Sequence, residues 1–413
     1  MNVKTPNMDA MAAESIDFRH CVSNNPLCIP YRATLMTGMY WDRIAREYGG
    51  VPLSNRLPVL GQILKDHGYQ TGYIGKWHLD RQYGERAALD GYVPPENRLG
   101  IDYWRVHDLT HKYNESYYYD ENGNKLLWDG YDAQAQTQEA IKHIRSLKKD
   151  KPFALFLSWG PPHNPYDQAP GEFKDLYKPE DMVLRPNVPE EVKAWAKKTL
   201  SQYYSQVTVI DSCLGEIIGS LKEMDLEDNT ILIYTSDHGD MLGSQGSALK
   251  MQPWDESTLV PFLLRYPGAF GRKGRRENKI FSSVDIMPTI LGLSGIDVPQ
   301  GTDGKDWTPV LKGQEMPQTP GALLERENPA KVNVSMIHKE IPVYRGIRTE
   351  RYTYVVARDE SAQYRGWLLY DNSEDPWQMI NRIDDPGCQD IRADLHNELM
   401  KLLYAKGENT FNG

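Results

Sequence analysis

A carboxylate and an imidazole stand side by side in this chain, directly after an apolar segment. These residues, Asp237 and His238, follow the segment 230–235 and precede Gly239. At the end of a strand, two such side chains can present two ligands to one divalent cation. The pattern is equally typical of a turn closed by a side-chain hydrogen bond, so the motif alone leaves both interpretations open.

Two further polar clusters also follow apolar segments. Lys76 and His78 come after the segment 70–74, and such a pair could bind an anion and move a proton. His163 comes after the segment 153–159, between prolines that stiffen its loop. Taken singly, both clusters are weak signals, and His163 alone is more typical of a structural histidine. Because sites in open α/β sheets form at the carboxyl ends of strands, we expect all three loops to converge.

The most specific stretch runs from Cys28 to Gly38 and reads CIPYRATLMTG. It resembles the signature of the sulfatase family, in which Cys-x-Pro-x-Arg opens a helix and a Thr-Gly pair follows. Tyr31 departs from that signature, which usually has Ser or Ala there. In the family this cysteine is oxidised to formylglycine, so the resemblance implies that Cys28 becomes the nucleophile. A helix N-terminus suits such a group, because its free N–H groups and dipole favour an anion.

The resemblance extends to the other clusters, which follow one another in the family's order. Arg32 is implied to orient the hydrated aldehyde, while Lys76 and Lys250 are implied to bind the sulfate group. His78 is implied to contact the formylglycine hydroxyl. His163 is implied to contact or protonate the leaving oxygen.

The implied metal ligands are Asp237, His238 and the side chain formed from Cys28, with Ca²⁺ as the expected cation. Sulfatases normally begin with an apolar strand that ends in two adjacent aspartates, both metal ligands. This chain begins at the helix that follows that strand. Since the strand would lie inside the sheet, its absence predicts neighbouring strands with unpaired edges.

Two explanations for this beginning are open: a start at an internal Met of a longer natural protein, or a truncated relative with an impaired metal site. The first is favoured, because the downstream catalytic positions are intact. A longer protein carrying a signal peptide would be periplasmic or secreted.

Apolar strands alternate with helices through most of the chain, which predicts a parallel sheet covered on both faces. The predicted strands are 70–74, 153–159, 230–235 and 259–265, and the predicted helices include 8–15, 57–67, 135–147, 200–224 and 285–293. The expected fold class is therefore α/β, with a mainly parallel central sheet and helices on both faces, similar to alkaline phosphatases and sulfatases.

The pattern changes near residue 335. Antiparallel strands over 345–356 and 366–371 and a helix over 390–405 predict a small α+β subdomain. We therefore expect a catalytic domain over 1–335 and a C-terminal subdomain over 336–413. The segment 367–376 resembles the C-terminal subdomain of the sulfatases.

Composition excludes several classes of function. The net charge of −10 argues against a nucleic-acid partner, and no apolar run is long enough to cross a bilayer. The basic cluster 272–276 is interpreted as a solvated connector. The four cysteines lack the spacing of a zinc site or disulfide framework, and Cys213 is expected to be a small buried side chain.

These observations predict hydrolysis of a sulfate ester, on a sulfated carbohydrate, through formylglycine at position 28. The expected partners are a small-molecule or oligosaccharide sulfate ester and a formylglycine-generating maturation enzyme. Two alternatives remain open at this point. One is a phosphonate monoester or phosphodiester hydrolase of the same superfamily, and the other is a truncated, non-catalytic relative that binds glycans.

Overall fold

Three β-sheets organise the computed structural model, which describes residues 2–54, 56–80, 91–316, 320–327 and 341–408. The strands are β1 (Ile16–Val22), β2 (Gln70–Lys76), β3 (Tyr103–His107), β4 (Tyr117–Tyr119), β5 (Lys125–Leu127), β6 (Phe153–Ser158), β7 (Leu232–Thr235), β8 (Leu259–Val260), β9 (Phe262–Arg265), β10 (Arg275–Ser282), β11 (Ala322–Arg326), β12 (Tyr344–Arg348), β13 (Tyr352–Arg358) and β14 (Tyr364–Asp371). The helices are α1 (Pro6–Ala13), α2 (Cys28–Thr37), α3 (Trp41–Tyr48), α4 (Leu60–Asp66), α5 (Asp132–Ser146), α6 (Gly171–Lys174), α7 (Lys193–Glu223), α8 (Asp255–Thr258), α9 (Pro267–Phe270), α10 (Ile286–Leu293), α11 (Thr308–Leu311) and α12 (Gln389–Ala405).

The first sheet has the strand order β10-β1-β9-β7, and β8 also pairs with β1. β1 runs parallel to β10, whereas β9 runs antiparallel to both β1 and β7. β1 and β7 therefore point in the same direction, and their carboxyl ends lie at one edge of the sheet. The loop after β1 leads into α2, and the loop after β7 carries the Asp-His pair.

The second sheet has the order β5-β4-β3-β2-β6, in which β2 is parallel to both β3 and β6. In the described part of the chain, β6 and β7 each pair on one side only, and all their residues are half-buried. Both strands contribute to one apolar cluster, since Leu155 and Leu157 pack with Leu232 around Ile217 and Leu221 of α7. β6 and β7 therefore pack against the same helix although they belong to different sheets.

The third sheet is antiparallel, with the order β11-β12-β13-β14, and α12 packs on it through Leu395, Leu399 and Leu403. The predicted domain boundary at residue 335 lies outside the described residues. β11, over 322–326, precedes that boundary and pairs with β12. The division into two domains stays a prediction.

The predicted fold class is confirmed, with mixed sheets and helices on both sides of them. The predicted strand over 259–265 is interrupted at Pro261, which cannot donate a backbone hydrogen bond, and its two parts run antiparallel to β1. The basic cluster was interpreted as a connector, yet Arg275 and Arg276 begin β10. Both side chains are exposed, which is why the segment resembles a loop.

Strands β1, β10 and β11 have no counterpart among the predicted elements. The segment 80–130, expected to form loops and short hairpins, also contains β3, which pairs in parallel with β2. β1 carries Asp17, Arg19 and His20 on its exposed or half-buried face, so no continuous apolar run marks it. Cys213 is buried on α7, as predicted. Among the described residues, no helix combines the length and the apolar character needed to cross a membrane.

Candidate active site

Cys28 occupies the first position of α2, at the carboxyl edge of the first sheet. Leu27, before it, has an extended backbone and provides no side-chain cap, so the free N–H groups of the first turn are open to another acceptor. The helix is held firmly, because most of its residues are buried, and Tyr31 packs into the apolar cluster that contains Phe18 and Phe262. Tyr31 thus occupies a core position where the family signature usually has a small residue.

The helix ends at Gly38, whose φ of +65° lies in the left-handed region. A Cβ at this position would lie 2.6 Å from Cγ2 of Thr302. Both observations explain the Thr-Gly pair that closes the motif.

Asn24 anchors the loop that connects β1 to α2. Its side-chain oxygen accepts hydrogen bonds from the hydroxyls of Ser282 and Ser283 at 2.8 and 2.7 Å, and its amide donates to the Leu323 carbonyl at 2.7 Å. These bonds fix the approach of the chain to Cys28 from two other segments. Nothing in the local sequence pattern marks Asn24 for this role.

The predicted clusters converge on the Cys28 side chain. Its Sγ lies 3.4 Å from Nζ of Lys76 and 3.3 Å from Nε2 of His238. A ring nitrogen of His163 lies within 4.8 Å of this sulfur, and His78 interacts with it electrostatically. The structure therefore brings together, from the ends of β2, β6 and β7, the three loops that the sequence predicted to meet.

Lys250 joins the cluster through His163, with its Nζ in short contact with the imidazole Nε2. His163 Nδ1 lies 2.8 Å from the Asn164 carbonyl, which can only accept, so Nδ1 carries the ring proton. Nε2 of His163 is therefore the acceptor for Lys250. Lys250 is buried although the segment around it has no regular secondary structure.

Positive charge dominates the electrostatics of this cluster. Burial alone would raise the pKa of the Cys28 thiol, but Lys76, Lys250 and His238 hold that pKa well below its usual range. Burial lowers the pKa of Lys76, and the neighbouring Arg32 and Lys250 lower it further, although Cys28 and Asp237 oppose them. Burial, with Lys76 nearby, lowers the pKa of His78 to about 4. The site thus favours an anion at position 28 and neutral imidazole at His78.

Arg32 connects the carboxyl ends of β2, β6 and β7. Its Nη1 donates to the Ser158 hydroxyl at 2.7 Å and to the Lys76 carbonyl at 2.9 Å, and its Nη2 lies 3.2 Å from Oδ2 of Asp237. The Tyr73 hydroxyl lies 3.2 Å from Nη1. These contacts tie together the loops after β2, β6 and β7, whereas the contact of Arg32 with a hydrated aldehyde stays a prediction.

Gly75 permits the close approach that this arrangement needs. Its φ is +102°, and a Cβ there would lie 2.2 Å from the Ser158 carbonyl oxygen. Any side chain at this position would push β2 and β6 apart, just before Lys76.

The predicted metal ligands point toward one another. His238 Nδ1 lies 2.8 Å from the Gly239 carbonyl, so Nε2 keeps its lone pair, and it lies 3.6 Å from Oδ1 of Asp237. Cys28, His163 and His238 have ligand atoms within 4.8 Å of one another. Ca²⁺ takes about six or more oxygen ligands, so Asp237, His238 and residue 28 fit as part of its coordination shell rather than as a full one.

Comparison with known proteins agrees with this geometry. The family model described as Sulfatase matches residues 2–296, which span α1, the Cys28 helix and all three loops. The chain belongs to the sulfatase family. A second model, described as the C-terminal region of N-sulphoglucosamine sulphohydrolase, matches residues 249–405.

Relatives and solved structures cover almost the whole chain. An ulvan-active sulfatase of Formosa agariphila is 35% identical over 98% of this chain and 78% of its own length. An endo-4-O-sulfatase of Bacteroides thetaiotaomicron is 31% identical over 97% of this chain and 84% of its own length. A solved structure from work on glycosaminoglycan metabolism by Bacteroides thetaiotaomicron superposes with a TM-score of 0.88 at 28% identity, covering 99% of this chain and 90% of that one. This sulfatase is a sulfuric ester hydrolase.

Sequence patterns missed several residues that build the site. Ser158, Tyr73 and Asn24 act through contacts with segments far away in sequence, so no local spacing reveals them. His111 lies in the connector between β3 and β4, and its ring stacks on His163. His111 stands between Thr110 and Lys112, and this local sequence gave no usable signal.

Proposed function

We propose that this sulfatase hydrolyses a sulfate ester of a carbohydrate through formylglycine formed from Cys28. The observation that carries the proposal is the cluster of cationic and imidazole groups beside a buried cysteine at a helix N-terminus. The overall reaction adds water to the ester, cleaves the S–O bond and yields an alcohol and sulfate. The neutralisation of the sulfate oxygens by fixed charges would provide much of the rate acceleration.

Formylglycine, when present as its hydrate, supplies one hydroxyl that attacks sulfur and a second one through which sulfate is later released. Conversion of the Cys28 thiol to an aldehyde is an oxidation. In this step oxygen replaces sulfur at the side-chain carbon, sulfide leaves, and two electrons pass to an oxidant such as dioxygen, supplied by a formylglycine-generating maturation enzyme, the partner that the family resemblance implies.

Lys76 and Lys250 are placed to bind the sulfate oxygens. Both ammonium groups are buried, and each lies in contact with Cys28 or with its neighbour His163. Their charges are balanced only in part by Asp237, which is also shared with Arg32. An anionic group bound beside residue 28 would remove this imbalance.

His163 is assigned to the leaving oxygen and His78 to the hydroxyl of residue 28. Lys250 can pass a proton to Nε2 of His163, and that nitrogen can pass it to the departing alcohol. His78, with its pKa lowered to about 4 by burial, is neutral near pH 7 and can accept a proton from the second hydroxyl.

Asp237 and His238 would hold the divalent cation, for which Ca²⁺ is proposed, together with residue 28. A cation there would polarise the bound oxygens and add positive charge to the site. Arg32 would keep Asp237 oriented through Oδ2 while Oδ1 remains available to the metal.

A sulfated sugar is proposed as the substrate class. The supporting observation is that two relatives above 30% identity over nearly the whole chain are an ulvan-active sulfatase and an endo-4-O-sulfatase. Neither relative specifies the sugar or the position of the sulfate for this chain.

The test is co-expression with a formylglycine-generating enzyme, followed by peptide mass measurement across Cys28. A loss of about 18 Da is expected at this residue. Sulfate release is then measured on ulvan oligosaccharides, chondroitin disaccharides and N-acetylglucosamine 6-sulfate, with and without Ca²⁺. A matched phosphonate ester serves as the control for the related chemistry. Modified protein that releases phosphonate products but no sulfate from any ester would contradict the proposal.

A further inference from the structure

His111 stands against a face of the catalytic His163 that none of the assigned roles uses. The two imidazole rings are stacked with centroids 4.4 Å apart and planes 6° from parallel. His111 is half-buried and belongs to the connector between β3 and β4, whereas His163 belongs to the loop after β6. The contact therefore joins two separate loops directly at the leaving-group side of the site.

The connector that carries His111 is itself fixed to the His163 loop. Gln168 accepts a hydrogen bond from the Tyr113 N–H at 2.6 Å and donates one to the His111 carbonyl at 2.7 Å. Asn114 donates to the Gln168 carbonyl at 2.9 Å. Such a set of bonds holds the His111 backbone in one place relative to the loop that it faces.

Tyr113 adds a second attachment beside the stacked rings. Its hydroxyl donates to the His163 carbonyl at 3.0 Å, and its ring is fully buried against Gly160. A Cβ on Gly160 would lie 2.7 Å from the Tyr113 ring. The backbone of His163 is thus fixed by Tyr113, and its ring is contacted by the Asn164 carbonyl, Lys250 and His111.

We propose that His111 is a positioning residue for His163. Its ring packs flat against the imidazole of His163 and so sets the direction of Nε2 toward the leaving oxygen. This inference rests on the proposed function, in which His163 serves the departing alcohol. Without the His111 ring, the imidazole of His163 can rotate about its side-chain bonds, and Nε2 is no longer aligned with the leaving oxygen. Proton transfer requires the donor within hydrogen-bond reach of the leaving oxygen, so misalignment lowers the rate of the chemical step.

The test compares His111→Ala with His111→Phe in formylglycine-containing enzyme. Substituted phenyl sulfates are used, because 4-nitrophenolate leaves without a proton whereas phenolate benefits from one. His111→Ala should lower kcat for phenyl sulfate by roughly 10- to 100-fold and affect 4-nitrophenyl sulfate far less. His111→Phe keeps a flat ring and should recover most of the loss, with little change in KM for either ester.

Gln168→Ala provides a second variant that leaves the His111 ring in place but removes both side-chain bonds. It should show the same dependence on the leaving group with a smaller loss. His67→Ala, on the exposed end of α4, is the matched control and should behave like the wild type. Equal losses on both esters, or a Phe variant as impaired as the Ala variant, would overturn the inference.

A readout independent of turnover separates this inference from the proposed function. The imidazole chemical shifts of His163 should change in His111→Ala and return toward the wild type in His111→Phe. Unchanged shifts in the Ala variant would overturn the positioning role even in an active enzyme. A wild-type enzyme with modified Cys28 that hydrolyses no sulfate ester would instead refute the proposed function, while the chemical shifts would still decide the role of His111.

Discussion

Two buried charged clusters in this sulfatase are built on opposite principles. Around Cys28, Lys76 and Lys250 are buried among histidines, with Asp237 as their nearby carboxylate. Around Lys406, just after α12, the ammonium group lies 3.1 Å from Asp42, 2.9 Å from Glu325 and 2.9 Å from Glu408. In the first cluster the cations outnumber the carboxylates, whereas in the second one the lysine is paired with three carboxylates.

The pKa shifts of the two lysines express this difference. Burial opposes charge at both, and it lowers the pKa of Lys76, where Arg32 and Lys250 act in the same direction. At Lys406, burial is outweighed by the nearby carboxylates of Glu325 and Asp42, so its pKa is raised. A buried cation without a matching anion indicates a binding site, whereas a paired one indicates a structural link, here between α3, β11 and the C-terminal helix.

The largest effect is expected from Cys28→Ala. Removal of the nucleophile should reduce sulfate release to background, a loss on the order of 10⁶, because no other group can form the covalent intermediate. Steady-state assays on the best sugar sulfate measure it. Cys388→Ala, in the C-terminal subdomain, is the control and should retain activity. Substantial turnover by the Cys28 variant would contradict the assignment of the nucleophile.

Lys76→Met tests the cluster around Cys28, in which the cations outnumber the carboxylates. We expect kcat/KM to fall about 100- to 1,000-fold, because one charge opposite the sulfate oxygens is lost. The melting temperature without substrate should stay the same or rise, since the variant removes a buried cation with little compensation. A large fall in melting temperature would mean that Lys76 is structural.

Lys406→Met is the same substitution in the cluster around Lys406. Here we expect stability to fall and catalysis to stay unchanged. Three carboxylates would lose their shared cation, and Glu325 is completely buried, so unfolding free energy should fall by about 3–5 kcal/mol. The kcat of the folded fraction should not change. Denaturant titration and activity at low temperature measure the two quantities. If Lys406→Met lost activity but kept the stability of the wild type, Lys406 would belong to the catalytic site rather than to a structural link.

The difference in unfolding free energy between the wild type and Lys406→Met should become smaller as the pH falls. Despite burial, Lys406 and Arg345 lower the pKa values of Asp42 and Glu408 in the folded protein. Carboxylates with lowered pKa values stabilise the fold above their unfolded pKa values, near 4, and this contribution is lost as the pH falls through the folded values. Melting curves from pH 7 to pH 3 should show the gap widest at pH 7. A gap that grows in acid would contradict this pairing.

The smallest effect is a thermal shift by inorganic sulfate. An anion that binds only the folded state raises its stability by mass action, so millimolar sulfate should raise the melting temperature by a few degrees. The shift should disappear in Lys76→Met and persist in Lys406→Met. A shift of equal size in both variants would show that sulfate acts on the surface rather than in the site.

The sequence by itself determined which segments carry the chemistry. Short motifs contain the candidate catalytic residues Cys28, Lys76, His163, Asp237 and Lys250. The order and composition of these motifs can be read from the sequence without any knowledge of contacts. The convergence of the loops that carry Lys76, His163 and Asp237 followed from one rule, that sites form at the carboxyl ends of strands in an open sheet, whereas Cys28 and Lys250 were placed by the family resemblance. Strands that are apolar throughout, such as β6 and β7, were predictable because burial on both faces leaves a continuous apolar run.

Only the tertiary structure decided how these residues are held. The four contacts of Arg32, the anchoring by Asn24 and the stacking of His111 on His163 all join segments far apart in sequence. β1 and β10 escaped prediction for a related reason, since exposed faces let polar residues interrupt their apolar pattern. Local periodicity reports how one segment is buried, but it cannot report which distant side chain lies against it.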